Sequence, residues 1–362
     1  MQTEMATPEV RTGQRPPVID CDIHAEVPTV EALFPYLPPY WVEHITHTRF
    51  KGPIDTYYPP QSPVAARPGS LPPQGPAGSS LELLRAQVLD PLNVEVGILV
   101  CTYAIDSLHN PDAAVALARA VNDWLAEEWL AKEPRLRASI VVPCQIPQLA
   151  AQEIDRVAQH PGFVQVLLPA RSYFPYGNRI YQPLWEAIAR HDLVAAIHFG
   201  GAPGTPPTPS GWPSYYFEEY AGMAQVFASQ LTSIVCEGVF DLFPTVKVVL
   251  LESGVTWLPP HLWRFDKEWR NLRRLVPWLK QPPSAYVRQH VRLTVQPLDA
   301  PADPQALLAV LAQLGAEEML LYASDYPHEH GVDPETVLFP ALPEALAQKI
   351  RTENARALYR RL

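Results

Sequence analysis

The chain has 362 residues, of which 47% are hydrophobic and 18% are charged, and its formal net charge is −10. This composition excludes a disordered or fibrous chain, and the acidic balance argues against nucleic acid or an anionic membrane as the main partner. No apolar run reaches the ~20 residues that a membrane-spanning helix needs. The first 16 residues also lack a hydrophobic signal core. We therefore expect a cytoplasmic protein.

Short apolar runs alternate along the chain with longer segments of helical period, which is the pattern of repeated strand and crossover-helix units. Most of the runs are nearly continuous in Val, Ile, Leu and Ala, as parallel strands buried on both faces require. Eight such runs predict a closed α/β barrel. The predicted strands are Val18–His24, Val94–Cys101, Leu136–Val142, Phe163–Leu168, Leu193–His198, Val246–Glu252, Val291–Val295 and Met319–Ser324.

Capping residues mark two of the predicted helices. Asn110 precedes a proline and an apolar-periodic segment that ends at Ala131, and Asp303 stands in the same position before a second segment. Gly315 ends that second helix, because glycine readily adopts the left-handed conformation found after many helices.

The 42 prolines are more than double the usual share of roughly 5%. We predict a disordered tail over residues 1–16 and a single barrel domain over residues 17–362, with a Pro-rich insertion at 52–80. That insertion follows the first strand, at the functional face of such a barrel. We interpret it as a lid or specificity loop, with a solvent-exposed insertion as the alternative.

Ionisable residues are concentrated where the predicted strands end. Asp20, Asp22 and His24 alternate along the first strand, so the period of two predicts that all three point to the barrel interior. Three other strands end at, or just before, an ionisable residue: His198, Glu252 and Asp325. The carboxyl ends of parallel strands share one rim of a barrel, so we expect these side chains to converge there.

Unpaired charges at a buried rim are costly, and a divalent metal would neutralise them. Two imidazoles and two carboxylates suit zinc, manganese or iron; we predict this metal set to be Asp22, His24, His198 and Asp325. For any one of these histidines, a hydrogen-bonded core residue is the alternative.

Several motifs together resemble the amidohydrolase-related metalloenzymes, the group that includes amino-carboxymuconate semialdehyde decarboxylase and the resorcylate-type decarboxylases. The matching segments are DCDIHAE at 20–26, AIHFGG at 196–201, LLESGVTWLP at 250–259, ASDYPH at 323–328 and ENARALY at 353–359. The resemblance implies a distorted (β/α)8 TIM barrel of the metal-dependent hydrolase type, with a divalent metal at its rim. It implies the same four metal ligands.

The sequence departs from the family pattern at two points. The dinuclear hydrolases usually carry a carbamylated lysine on the fourth strand, whereas none of the six lysines here is near it. The decarboxylases commonly use a sixth-strand histidine as acid or base, and Glu252 stands there instead. We therefore predict Glu252, Asp325 and His328 as the catalytic residues, with support of the metal site as the alternative role of His328. For Glu329 and His330 we favour a solvated loop.

The leading hypothesis is a metal-dependent decarboxylase or hydrolase acting on a small cyclic or aromatic carboxylic compound. Arg171, Trp212 and Tyr215 are predicted to bind this substrate, although a structural ion pair and loop packing explain them equally well. The first alternative is a di-iron monooxygenase on the same fold, with Asp20 and Glu252 among additional carboxylates, acting on a bulky apolar metabolite. The second alternative is an inactive binding protein. A homodimer through the segment containing Trp263, Trp269 and Trp278 is one hypothesis, and packing of this helix against the barrel is the alternative that we favour for these residues.

Overall fold

The computed structural model describes residues 15–53, 66–201, 206–208, 210–301 and 303–362. Within them the chain forms a parallel sheet whose strand order follows the sequence from the first strand to the eighth. The strands are β1 (Val18–His24), β2 (Val94–Val100), β3 (Leu136–Val141), β4 (Phe163–Pro169), β5 (Val194–His198), β6 (Lys247–Leu251), β7 (Val291–Thr294) and β8 (Leu320–Leu321).

Helices surround this sheet. They are α1 (Pro39–Thr48), α2 (Leu81–Leu84), α3 (Pro111–Trp124), α4 (Pro147–Val157), α5 (Gln182–Arg190), α6 (Tyr216–Cys236), α7 (Val239–Leu242), α8 (Leu258–Leu272), α9 (Pro283–His290), α10 (Pro304–Leu314), α11 (Ala316–Met319), α12 (Pro334–Val337), α13 (Glu344–Gln348) and α14 (Asn354–Leu358). Single π-helical turns extend α2 and α3 and join α13 to α14: Arg85–Leu89, Leu125–Leu130 and Lys349–Glu353.

Backbone hydrogen bonds between β1 and the segment that begins with β8 close the sheet into a barrel. The N–H of Cys21 donates to the carbonyl of Tyr322 at 3.0 Å, and the N–H of Asp325 donates to the carbonyl of Asp22 at 3.0 Å. A third bond of 2.7 Å runs from the N–H of His24 to the carbonyl of Tyr326. The predicted eight-stranded TIM barrel is confirmed.

The barrel interior is filled by apolar side chains that alternate along the strands with residues facing the helices. This interior cluster comprises Ile19, Cys21, Ile98, Val100, Val164, Leu167, Val194, Ala196, Val249, Leu251 and Leu321, joined by Ala355, Leu358 and Tyr359 from the end of the chain. A larger apolar core lies between the opposite faces of the strands and the helices. Burial on both faces explains why the strand sequences are nearly continuous in apolar residues.

The helix caps form as the sequence predicts. The side chain of Asn110 accepts hydrogen bonds from the N–H groups of Asp112 and Ala113 at the start of α3. The side chain of Asp303 accepts from the N–H of Gln305 at the start of α10, and Gly315 ends that helix with a φ of 76°.

The eighth strand is shorter than predicted. The N–H of Ser324 donates to the Asp20 carboxylate at 2.9 Å, and its carbonyl accepts from the Arg67 guanidinium at 2.8 Å. The regular ladder ends earlier, at Leu321, where the N–H of Tyr322 donates to the carbonyl of Ile350 outside the sheet at 3.0 Å.

Two sequence predictions reach beyond the described residues. Residues 1–14 of the predicted tail and 54–65 of the Pro-rich insertion lie outside them.

No helix in the described ranges is long and apolar enough to cross a membrane.

The buried carboxylate of Glu133, just before β3, binds an arginine from the π-helical turn before β2. Glu133 is 5% exposed, and each of its oxygens accepts a 2.8 Å hydrogen bond, from the Nε of Arg85 and from the Nε of Arg135. The contacts with Arg135 contribute most, and together with Arg85 they lower the pKa of Glu133 from 4.5 to about 2.

We expect Glu133→Gln to lower the free energy of unfolding at pH 7 by about 1–3 kcal/mol, because it removes charge-assisted hydrogen bonds. The folded-state pKa is depressed, so this contribution is present above pH 4.5 and is lost as the pH falls toward about 2. Urea unfolding at several pH values measures it. The variant should lose less stability on acidification than the wild type, and equal losses would contradict the assignment. Glu43→Gln, at a side chain 73% exposed, is the control.

Candidate metal centre and active site

Ionisable side chains from four strand ends meet at one rim of the barrel. Asp22, His24, His198, Glu252 and Asp325 are each at most 4% exposed. The Nε2 of His24 lies 3.1 Å from a carboxylate oxygen of Asp325. The Nε2 of His198 lies 3.8 Å from Asp22 and 3.5 Å from Glu252. The convergence expected from parallel strand ends is therefore present.

The backbone turns sharply at two of these carboxylates. Glu252 and Asp325 both lie in the left-handed region, with φ of 55° and 53°. Residues other than glycine rarely adopt this conformation, and where they do they cluster at functional sites. At both positions the turn follows the end of a strand.

Asp20 does not belong to this group, contrary to the expectation that it shares a face with Asp22 and His24. The pairing of β1 with β2 shifts register between Asp20 and Ile23, so the simple period of two fails there. One oxygen of Asp20 instead accepts from the N–H groups of Asp22 and Ser324, at 3.3 and 2.9 Å.

The site contains two overlapping sets of ligand atoms, each within 4.8 Å of one another. One set comes from Asp22, His24 and His198, and the other from His24, Asp325, Glu252 and His328. The four residues predicted as metal ligands are thus divided between two adjacent sets that share His24.

Unpartnered polar atoms test whether this site fits a cation. Both oxygens of Asp22, the Nε2 of His198 and the Oε2 of Glu252 are buried without a hydrogen-bond partner. The Nδ1 of His198 contacts the carbonyl of Phe199 at 2.8 Å. A carbonyl only accepts, so Nδ1 carries the proton and the lone pair of Nε2 is directed into the site. These atoms suit a divalent cation with nitrogen and oxygen ligands.

Each ionisable group of the site shifts the pKa of its neighbours. Burial raises the pKa of Asp22, and the charge of Asp325 raises it further. Burial lowers the pKa of His198, which favours the neutral form that binds metals. Burial opposes ionisation of Asp325, but contacts with His328 and His24 hold its pKa well below the usual range. A bound cation would relieve the repulsion between the carboxylates.

His328 enters the site from the segment after β8. Its Nδ1 lies 3.3 Å from Glu252 and 3.3 Å from Asp325. Burial alone would lower the pKa of His328, but Asp325 and Glu252 raise it to about 9. The imidazole is therefore held between two carboxylates.

Two residues of the site were missed or misassigned in the sequence. The His330 side chain is 8% exposed and its Nε2 contacts Asp325, so the favoured solvated loop is wrong for this residue. Glu26 had no assigned role, yet its Oε1 lies 3.4 Å from the Nδ1 of His24. The alternation of Asp22, His24 and Glu26 in the motif was the available signal.

The predicted substrate-binding residues are either bound to other protein groups or exposed to solvent. Arg171 donates to the buried Glu219 and, at 2.8 Å, to the carbonyl of Gly201. This is the arrangement of a structural ion pair. Trp212 and Tyr215 are 52% and 71% exposed. A substrate role for these three residues stays a prediction.

A cavity of about 470 Å³ opens beside the site. Glu26 and His328 line it together with residues from the β1 and β2 loops and from the segment 66–77. Pockets of this size hold small organic ligands. The proximity of His328 makes this cavity the candidate substrate pocket.

The fold and the site define a metal-dependent enzyme of the TIM-barrel type. The family model described as amidohydrolase matches residues 19–361. The chain therefore belongs to the amidohydrolase family, as the sequence motifs predicted.

Relatives and solved structures agree with this family. The γ-resorcylate decarboxylase of Polaromonas sp. is 28% identical over 302 residues, covering 76% of this chain and 86% of that protein. A crystal structure of a Polaromonas dihydroxybenzoic acid decarboxylase contains manganese and the inhibitor 2-nitroresorcinol; it has a TM-score of 0.64 at 23% identity, over 95% of this chain and 96% of that chain. The 5-carboxyvanillate decarboxylase of Sphingomonas paucimobilis has a TM-score of 0.67 at 23% identity, over 95% and 98% of the two chains.

We expect His198→Ala and Asp325→Ala each to weaken manganese or zinc binding by at least about a hundredfold. Even residues that only orient a metal ligand contribute about 10- to 100-fold. Elemental analysis after gel filtration, with circular dichroism as the folding control, measures the loss. His47→Ala, at a side chain 77% exposed, should retain about one metal ion per chain like the wild type. Full retention in both site variants would contradict the ligand set.

Proposed function

We propose that the protein is a metal-dependent decarboxylase of small aromatic acids, in which His328 delivers a proton to the ring. The observation that carries this proposal is the placement of His328: it contacts Glu252 and Asp325 and also lines the substrate cavity. The names of the relatives, resorcylate and dihydroxybenzoate decarboxylases, support the reaction class.

The site residues divide into a metal-binding set and a proton-delivery pair. Asp22, His24, His198 and Asp325 would hold a divalent cation, which when bound orients the substrate through its carboxylate and an adjacent oxygen. Glu252 accepts a hydrogen bond from His328 and holds the imidazole beside the cavity.

The reaction then needs one proton and releases one molecule of CO2. Protonated His328 transfers its proton to the ring carbon that bears the carboxylate. The bond between this carbon and the carboxylate then breaks, CO2 leaves, and the electron pair of that bond restores the aromatic ring. The imidazole is then neutral and regains a proton before the next turnover.

The alternatives have less support. The lysine-bridged hydrolase lacks its lysine on β4, whose sequence is FVQVLLP. The di-iron monooxygenase counted Asp20 as a ligand, and this residue lies outside both sets of ligand atoms. The intact ligand set also disfavours an inactive binding protein, and the decarboxylase relatives favour the lyase.

We expect manganese-loaded protein to release CO2 from 2,6-dihydroxybenzoate or a related hydroxybenzoate, and His328→Asn to lower kcat by about 10²–10⁴-fold. Glu252→Gln should lower kcat in the same direction. Product formation followed by chromatography measures both, with metal content determined for each variant. Glu329→Gln, at the exposed neighbour of His328, is the control. A His328→Asn variant that binds metal and turns over at the wild-type rate would contradict the proton-donor role.

We also propose a cytoplasmic enzyme. The four cysteines are unpaired, and three of them are buried. Reduced thiols are typical of that compartment.

A homodimer is a further proposal about this protein. Trp263, Leu272, Leu275 and Trp278 on and after α8 are 59%, 52%, 72% and 41% exposed, which supports an apolar interface there. Trp269 by contrast packs against the core. We expect sedimentation to show a dimer that Leu275→Asp converts to monomer, with circular dichroism unchanged. A monomeric wild type would contradict the proposal.

A further inference from the structure

The described lining of the candidate substrate cavity contains one acid and no lysine or arginine. Among its described lining residues, the acid Glu26 and the imidazole of His328 stand among mostly apolar neighbours such as Val27, Leu71 and Pro327. No lysine or arginine is among them.

The two arginines nearby, Arg67 and Arg171, hydrogen-bond to other groups of the protein. Arg67 donates to the carbonyls of Ser324 and His328, at 2.8 and 3.2 Å. Arg171 is paired with Glu219. The described lining therefore offers a substrate anion no lysine or arginine side chain, and its one cationic group is the imidazole of His328, which Glu252 and Asp325 already hold.

Glu26 occupies a fixed position between the metal centre and the cavity. Its Oε1 accepts from the hydroxyl of Thr102 at 3.2 Å and lies 3.4 Å from the Nδ1 of His24. Its backbone N–H donates to the carbonyl of Gly78 at 3.1 Å. The side chain is 26% exposed. No described residue donates a hydrogen bond to the second oxygen, which leaves that oxygen available to a ligand.

We propose that Glu26 makes the enzyme selective for aromatic monocarboxylates, which rests on the proposed function. With a cation held by Asp22, His24, His198 and Asp325, the single carboxylate of such a substrate would bind there and the ring would extend into the cavity. A second carboxylate on the ring would lie near Glu26 with no lysine or arginine in the described lining to neutralise it, at a partly buried position where like charges repel strongly. A hydroxyl group at the same place would instead donate a hydrogen bond to the free oxygen of Glu26.

Two acids that differ by one carboxylate test this selectivity. 5-Carboxyvanillate carries two carboxylates, and 2-hydroxy-3-methoxybenzoate is the same ring without the carboxylate para to the hydroxyl. Calorimetric titration of manganese-loaded protein gives the Kd of each acid, and chromatography gives kcat/KM. We expect the wild type to favour the monoacid at least tenfold in both measurements.

The variants separate charge from shape. Glu26→Gln keeps the shape and removes the charge, so it should reduce the preference at least tenfold, while Glu26→Asp keeps the charge and should retain a preference. Glu31→Gln changes an exposed acid outside the cavity and should behave like the wild type. Because Glu26 contacts His24, metal content is determined for every variant.

The outcomes distinguish this inference from the proposed function. Equal or tighter binding of the dicarboxylate by the wild type would overturn the selectivity, while turnover of either acid would still support the decarboxylase. An unchanged preference in Glu26→Gln would overturn the role of Glu26 alone. No binding and no turnover of either acid would overturn both proposals.

Discussion

The burial of several ionisable groups at one end of the barrel is the constraint on which the rest of the site depends. Carboxylates and imidazoles removed from water are expensive unless a partner of opposite charge neutralises them. Here Asp22, His198 and Glu252 keep polar atoms with no partner from the protein. A divalent cation at this rim would neutralise the carboxylates and accept the lone pair of His198.

Closure of the barrel builds this site. The backbone hydrogen bonds between β1 and the segment after β8 join Asp22 and His24 to residues some 300 positions later, including Asp325. Glu252 and Asp325 reach the centre through left-handed backbone conformations. Such conformations persist only where surrounding packing enforces them. Leu251, directly before Glu252, belongs to the apolar interior below the rim. The ligand positions are thus a consequence of strand register and packing.

The proposed route of proton delivery differs from the one that the family resemblance implies. The family resemblance implied a histidine on the sixth strand, and this chain has Glu252 there. The structure brings an imidazole to the same region from another element, His328, and places it against Glu252. A carboxylate that holds an imidazole is a familiar way to orient a general acid or base. In this interpretation Glu252 contributes through the histidine.

The sequence by itself determined the eight strands and the barrel, and it predicted four metal ligands at the rim, because apolar runs and isolated ionisable residues at their ends are local signals. It also indicated His328 as a catalytic candidate. The tertiary structure alone decided what depends on register and on contacts distant in sequence. A register shift in β1 removes Asp20 from the site, and a long-range contact with Glu219 engages Arg171. The folding of the segment after β8 buries His330 against Asp325, and a side chain that local patterning assigned to solvent becomes part of the centre.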